Sequence, residues 1–222
     1  MNRLVKLIIL VVLSLSVYFI YNFTKDSKTN ILILGDGLCE GINSYGNKEY
    51  SYIDYYLIDI SKSVKLQKNC SKDMSLDKML NLIQNKSQIK KELKESHYLI
   101  VNLGYNDLLY KMSIVENLNI YKMNYIIDTI KQEYDDLITE INKYYDNEII
   151  VVGYFKAINN IYINAGIVEI NEYLKNNKRI TYVDTYKLLN SREKYFSNPN
   201  SYYPNPKGYM TIANKIKKKL EK

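Results

Sequence analysis

Short apolar runs alternate with longer amphipathic stretches along most of this chain. The runs are Ile31–Leu34, Val64–Leu66, Tyr98–Leu103, Ile149–Val152 and Ile180–Val183. Each is brief, bounded by polar residues and largely β-branched, the pattern of a strand buried on both faces of a parallel sheet. Between them, apolar residues recur at helical spacing. Lys48–Lys62 sets Ile53, Leu57 and Ile60 on one face. Ser75–Glu95 opens on a Ser cap, and Asn124–Tyr145 carries Ile127, Ile130, Tyr134, Leu137 and Ile141. Ile163–Asn176 and Pro206–Leu220 complete the set, with Pro206 in the first turn of the last helix. Strand–helix alternation of this kind predicts a three-layer α/β/α sandwich, flavodoxin-like, around a parallel sheet of about five strands.

The first residues follow a different pattern. Arg3 and Lys6 precede an almost uncharged run from Leu7 to Phe23, near the lower length limit for crossing ~30 Å of hydrocarbon. Bulky Tyr18, Phe19, Ile20 and Tyr21 stand where a cleavable signal peptide needs small residues. The reading is an uncleaved signal anchor: residues 1–24 form a cytoplasmic stub and one transmembrane helix, 25–29 a polar linker, and 30–222 an extracytoplasmic domain. The membrane is thus an expected partner through Leu7 to Phe23.

Of the 222 residues 46% are apolar, enough for a core. Twenty-four tyrosines and no tryptophan, alongside many Asn, Ile and Lys, suggest an AT-rich coding sequence. The net charge of +7 owes much to Lys215, Lys217, Lys218, Lys219 and Lys222 in the last helix. A solvated helix face is the plain reading, and attraction to an anionic membrane or wall polymer the other. No nucleic-acid motif has the required spacing. With one histidine and no calcium-loop pattern, neither a metal nor a cofactor is expected.

In a doubly wound sheet, ligands bind beyond the carboxyl ends of the strands where strand order switches. Two glycine-led, acid-bearing loops should meet there: "GDGLCEG" after the first strand and "GYND" after the third. Together with "NPNSYYPNPKGYMTIANKI" near the end, these segments resemble the blocks of the SGNH, or GDSL, hydrolases, over roughly Asn30 to Leu220. The resemblance implies that fold and places esterase roles residue by residue. Gly37 stands at the nucleophilic serine. Asn200 and Tyr203 stand at the Asp and His that orient and supply the base. Lys72 aligns with an oxyanion-hole glycine, while Asn106 retains the side-chain donor and Asp107 the acid that supports its loop.

The departures remove the chemistry of acyl transfer. Glycine cannot be a nucleophile, and a phenol with pKa near ~10 is a poor proton acceptor at neutral pH. His97 lies seven residues before Gly104, roughly 23 Å along a strand at ~3.3 Å per residue, at the wrong edge of the sheet. Cys39 has no histidine to activate it. Three functions therefore compete. One is a pseudoenzyme that binds or scaffolds at the cell envelope, its ligand an acylated glycan, a lipid or an envelope protein. The second is an esterase or lipase with a rearranged catalytic set. The third is an interaction module without a ligand pocket. Asp36, Gly37, Gly104, Asn106, Asp107 and Tyr203 are the candidate ligand-binding residues. Cys39 and Cys70 follow adjacent strands, and either bridge across the former site or remain two free buried thiols.

Overall fold

The computed structural model describes residues 9, 11–18, 28–58, 63–156, 160–198 and 201–220. Five strands, β1 (Thr29–Gly35), β2 (Val64–Cys70), β3 (Tyr98–Asn102), β4 (Ile149–Val152) and β5 (Ile180–Val183), form one parallel sheet in the order β2-β1-β3-β4-β5. Successive residues Ile31, Leu32, Ile33 and Leu34 of β1 are all at most 1% exposed, so both faces of the sheet are covered. This is the α/β architecture that the alternating pattern predicts, with all five apolar runs in strands.

The helices are α1 (Gly37–Glu40), α2 (Tyr52–Leu57), α3 (Leu76–Asn85), α4 (Ser87–Glu95), α5 (Tyr105–Ser113), α6 (Ile120–Ile141), α7 (Ile161–Asn176), α8 (Thr185–Leu188), α9 (Arg192–Tyr195) and α10 (Pro206–Leu220). Helix α2 packs on α10, while α3 packs on α6 and α6 on α7. Every residue of the core lies between Ile31 and Leu220, so the domain from Lys28 onward contains its whole core.

Three boundaries differ from expectation. Ser75–Glu95 is two helices, parted at Lys86 (φ −108°, ψ 108°). At 3.6 residues per turn, Ile83 and Ile89 would point about 120° apart on a continuous helix. The break lets both reach the core, where they are 0% and 5% exposed. Helix α6 starts at Ile120, capped by the Asn119 side chain, ahead of the expected Asn124, because its first turn exposes Ile120 and Tyr121 and carries no apolar stripe. Helix α2 starts at Tyr52, after a capping box of Ser51 and Asp54, rather than at the expected Lys48, and the expected residues 59–62 lie outside those described.

Residues 11–18 are helical with their apolar side chains exposed. Among the described residues no helix is long and apolar enough to cross a membrane. The expected span from Leu7 to Phe23 extends into residues outside those described.

Two buried side chains hold the loop after β4: Thr185 Oγ1 donates to the Gly153 carbonyl, and Asn171 grips the next residue. Asn171 of α7 accepts from the Tyr154 N–H and donates to the Tyr154 carbonyl, both at 2.8 Å. Asn171→Leu strands both backbone groups, and we expect it to lower unfolding free energy by about 2–4 kcal/mol in urea denaturation.

Candidate functional site

The site is assembled by register. Gly35, the last residue of β1, stands level with Cys70 of β2 on one side and Asn102 of β3 on the other. The loops that follow these strands therefore open at one edge, across the switch between β1 and β3. After β1 the chain turns at once into the short helix α1, whose N-cap Asp36 accepts from the Leu38 N–H at 3.0 Å. After β3, Gly104 adopts the left-handed conformation (φ 85°) and starts α5. A Cβ there would lie 2.9 Å from the Tyr134 ring and closer still to the Tyr154 hydroxyl, so two constraints select glycine.

Tyr203 fills the place of a side chain at Gly37. A Cβ on Gly37 would stand 2.7 Å from Tyr203 Cζ and 2.8 Å from Cε1, and nearer to Oη. The ring is anchored through its backbone. The Tyr203 carbonyl accepts from Ser44 Oγ (3.0 Å) and Ser201 Oγ (2.9 Å), and its N–H donates to Ser201 Oγ (3.0 Å). Arg192 in turn donates to the Ser201 carbonyl at 2.6 Å and stacks over Phe196, 4.2 Å from the ring centre. Asn200, aligned with the orienting Asp, lies outside the described residues.

The retained hydrogen-bond donors are turned inward. Asn106 Nδ2 donates to the Lys72 carbonyl at 2.8 Å, and its side chain also hydrogen-bonds the Tyr203 hydroxyl. The Lys72 N–H, placed at an oxyanion-hole position by alignment, donates to Glu40 Oε2 at 2.7 Å. Asp107 accepts from the Leu76 N–H at 3.3 Å and so ties α5 to the start of α3. Cys39 and Cys70 form a disulfide with Cα atoms 5.8 Å apart, joining α1 to the end of β2. His97 precedes β3 at the far edge, its Nδ1 accepting from the Asn30 N–H.

Burial dominates the electrostatics of the site. Burial pushes the Asp36 carboxyl up to about 7, helped by the charge of Asp107 and opposed by the Leu38 N–H. Burial likewise lifts Asp107 to about 6. The Tyr203 phenol is raised above its ordinary value, by burial first and the nearby Asp36 charge second, so it stays neutral at pH 7. Tyr105, in the first turn of α5, and Tyr52 bury hydroxyls that have no partner among the described residues, and both interact with Asp36 electrostatically. Among the described residues, no group of three or more His, Cys, Asp or Glu side chains is placed to hold a metal ion.

Sequence reasoning brought Asp36, Gly37, Lys72, Gly104, Asn106, Asp107 and Tyr203 to this edge. It missed Glu40, Arg192 and the buried tyrosines. Glu40 belongs to the quoted "GDGLCEG" loop, but its use depends on how Lys72 folds back. The tyrosines were legible only as an excess, and Tyr52, Tyr134, Tyr154 and Tyr209 are among the largest fully buried side chains. Beside the site, a charged cleft of ≈ 580 Å³ is lined by Glu40, Lys48, Glu49, Tyr50, Asp54 and Lys68.

No protein-family model matches the chain, and no curated protein matches it. Solved structures do. The lipase Lip_vut3 from a goat rumen metagenome superposes with a TM-score of 0.73 at 18% identity, over 86% of this chain and 97% of that one. A member of the lipolytic G-D-S-L family from Veillonella parvula gives 0.64 at 16% identity, over 87% and 98%. A lipase/acylhydrolase from Enterococcus faecalis gives 0.60 at 15%, over 86% and 95%. The likeness shows the fold.

Two outcomes follow from this geometry. Gly37→Ala should cost about 1–3 kcal/mol of stability through overpacking, and much less in a Tyr203→Ala background. Equal costs in both backgrounds, measured by chemical denaturation, would refute the close packing. The second concerns pH. A carboxyl whose folded pKa is raised binds its proton more tightly when folded, so its stabilisation is full below its ordinary value of 3.8 and is lost as pH rises through about 7. Asp36→Asn, which keeps an acceptor for Leu38, should therefore gain stability relative to wild type between about pH 4 and pH 7. Parallel stability–pH curves for the two proteins would show that Asp36 is not held protonated.

Proposed function

We propose that this chain, which has the fold of the GDSL or SGNH hydrolases, is a catalytically silent form of it that works as a membrane-anchored binding or scaffolding module at the cell envelope. The single observation carrying this reading is the Tyr203 ring in the space of a side chain at position 37. Acyl transfer needs a nucleophile, a base within reach and open oxyanion donors. Here position 37 has no side chain, the group at the base position is a neutral phenol, and the Lys72 and Asn106 donors are engaged within the protein. The apolar run from Leu7 to Phe23 supports the anchor, with the N-terminus cytoplasmic and the domain outside. Because the former site is filled, the partner, whether an acylated glycan, a lipid or an envelope protein, meets the outer surface of the domain.

One set of observations favours a second reading, ester hydrolysis by a rearranged set. The neighbours in fold are lipases and esterases, and Asp36 titrates near neutrality beside the site, as a general base would.

Hydrolysis of p-nitrophenyl acetate by purified residues 28–222 separates the two. The silent reading expects no more than the ~10³–10⁴-fold residual acceleration that binding and oxyanion donors alone supply. Turnover near ~1–10³ s⁻¹, abolished by Asn106→Ala, would establish an enzyme instead. The anchor is tested on the full chain. It should stay with membranes through an alkaline carbonate wash, and a mature N-terminus beyond Phe23 would overturn it.

A further inference from the structure

Positive charge is unevenly distributed over this fold. All five strands run parallel, so their first residues, and the loops that feed them, share the edge opposite the candidate site. Helix α10 ends there. The Leu220 carbonyl accepts from the hydroxyl of Tyr98, the first residue of β3, at 3.1 Å. Lys219 lines one cleft with His97, Tyr98, Glu148 and Thr181. This brings Lys215, Lys218 and Lys219 of α10 to the edge that also holds Lys178 and Arg179 before β5 and Lys28 before β1. Glu95 at the end of α4, Glu140 at the end of α6, where Lys143 pairs with it, and Asp146 and Glu148 in the loop before β4 are carboxylates set among them, and the cations outnumber them. Among the described residues, no ion pair engages Lys215, Lys218, Lys219, Lys178 or Arg179. The edge near the candidate site mixes the signs, with Glu40, Asp73 and Asp107 beside Lys48, Lys72 and Arg192.

The same edge receives the N-terminal segment. Residue 29 begins β1, and ten residues separate the helical residues 11–18 from it. Ten residues reach at most ~36 Å when extended. A domain tethered this closely meets whatever surface the apolar segment enters, and it meets it with its cationic edge when that surface is anionic.

We infer that the edge formed by the end of α10 and the loops before β1 and β5 is a docking surface for anionic phospholipid headgroups, holding the domain against the bilayer with its candidate site turned outward. The inference rests on the membrane-anchored reading for its orientation. Near an anionic leaflet each lysine or arginine contributes additively, and the attraction fades within one Debye length of the surface. A ring of separate cations on one edge therefore suits a fluid lipid surface, which can place a headgroup under each, better than a single small anion.

The test is cosedimentation of residues 28–222, which contain the whole core, with phosphatidylcholine vesicles lacking or containing phosphatidylglycerol. Binding should require phosphatidylglycerol and be lost in high salt. K215Q/K218Q/K219Q should weaken it on the order of 100-fold. K78Q/K187Q/K194Q, on other faces, should change it less than about 3-fold. Should the first triple variant fail to fold by circular dichroism, K178Q/R179Q should still weaken binding by on the order of 10-fold. Equal binding to pure phosphatidylcholine, equal losses in the two triple variants, or equally tight binding of soluble polyphosphate would overturn the lipid surface. Failure of the anchor reads out separately: a full chain removed by carbonate, whose domain still binds phosphatidylglycerol, loses the anchor and keeps the docking edge.

Discussion

Three strands in register set the terms for everything at the candidate site. Gly35, Cys70 and Asn102 stand level across β2, β1 and β3, and each chain leaves the sheet within a residue or two of that line. The switch in strand order at β1 forces the next helices to opposite faces and leaves a crevice between their starts. The disulfide, the Glu40–Lys72 contact and the Asn106–Lys72 contact all close across that one crevice. None would form with β2 or β3 shifted by one residue, because a slip of one reverses every side chain.

Within that frame, glycine at 37 and tyrosine at 203 depend on each other. A phenol ring is larger than an imidazole and reaches into the volume that a serine would need. The ring is compatible with the loop only while position 37 lacks a Cβ. The buried carboxylates fit the same account. An ionised Asp36 with no basic residue among the groups that shift it would be costly to bury, and it responds by holding its proton up to about pH 7. The phenol of Tyr203 beside it is raised by burial and by the Asp36 charge, and so stays neutral as well.

The strands and most helices were legible in the sequence because burial on both faces leaves uninterrupted apolar runs, and burial on one leaves a stripe. The misreadings have specific causes. Ile83 and Ile89 share a core but not a helical phase, so a stripe read as continuous became two helices. Helix α5 hid behind the loop motif that starts it, since "GYND" reads as a turn until Leu108 and Met112 are seen to be buried. At the site, the sequence blocks singled out Gly37 and Tyr203, but nothing in the order of residues says that Tyr203 points at Gly37. That fact depends on Ser44, Ser201 and Arg192 holding a loop more than 150 residues from Ser44 in the chain, as the Ser44–Tyr203 separation of 159 shows. The tyrosine excess, read as a trait of an AT-rich coding sequence, also places Tyr52, Tyr105 and Tyr203 where the buried Asp36 raises their phenols.

A parallel sheet has two unlike edges. At the carboxyl edge of this one the Tyr203 ring packs against Gly37, and the Asn106 and Glu40 side chains close onto the Lys72 backbone. At the amino edge, strand starts and helix ends converge, and helix C-termini favour cations through the partial negative charge of their carbonyls. Lysines at the end of α10 therefore complement their own helix before any partner is present, and their cost to the fold is small. A surface that is stable alone and still carries net positive charge can meet an anionic layer without rearrangement.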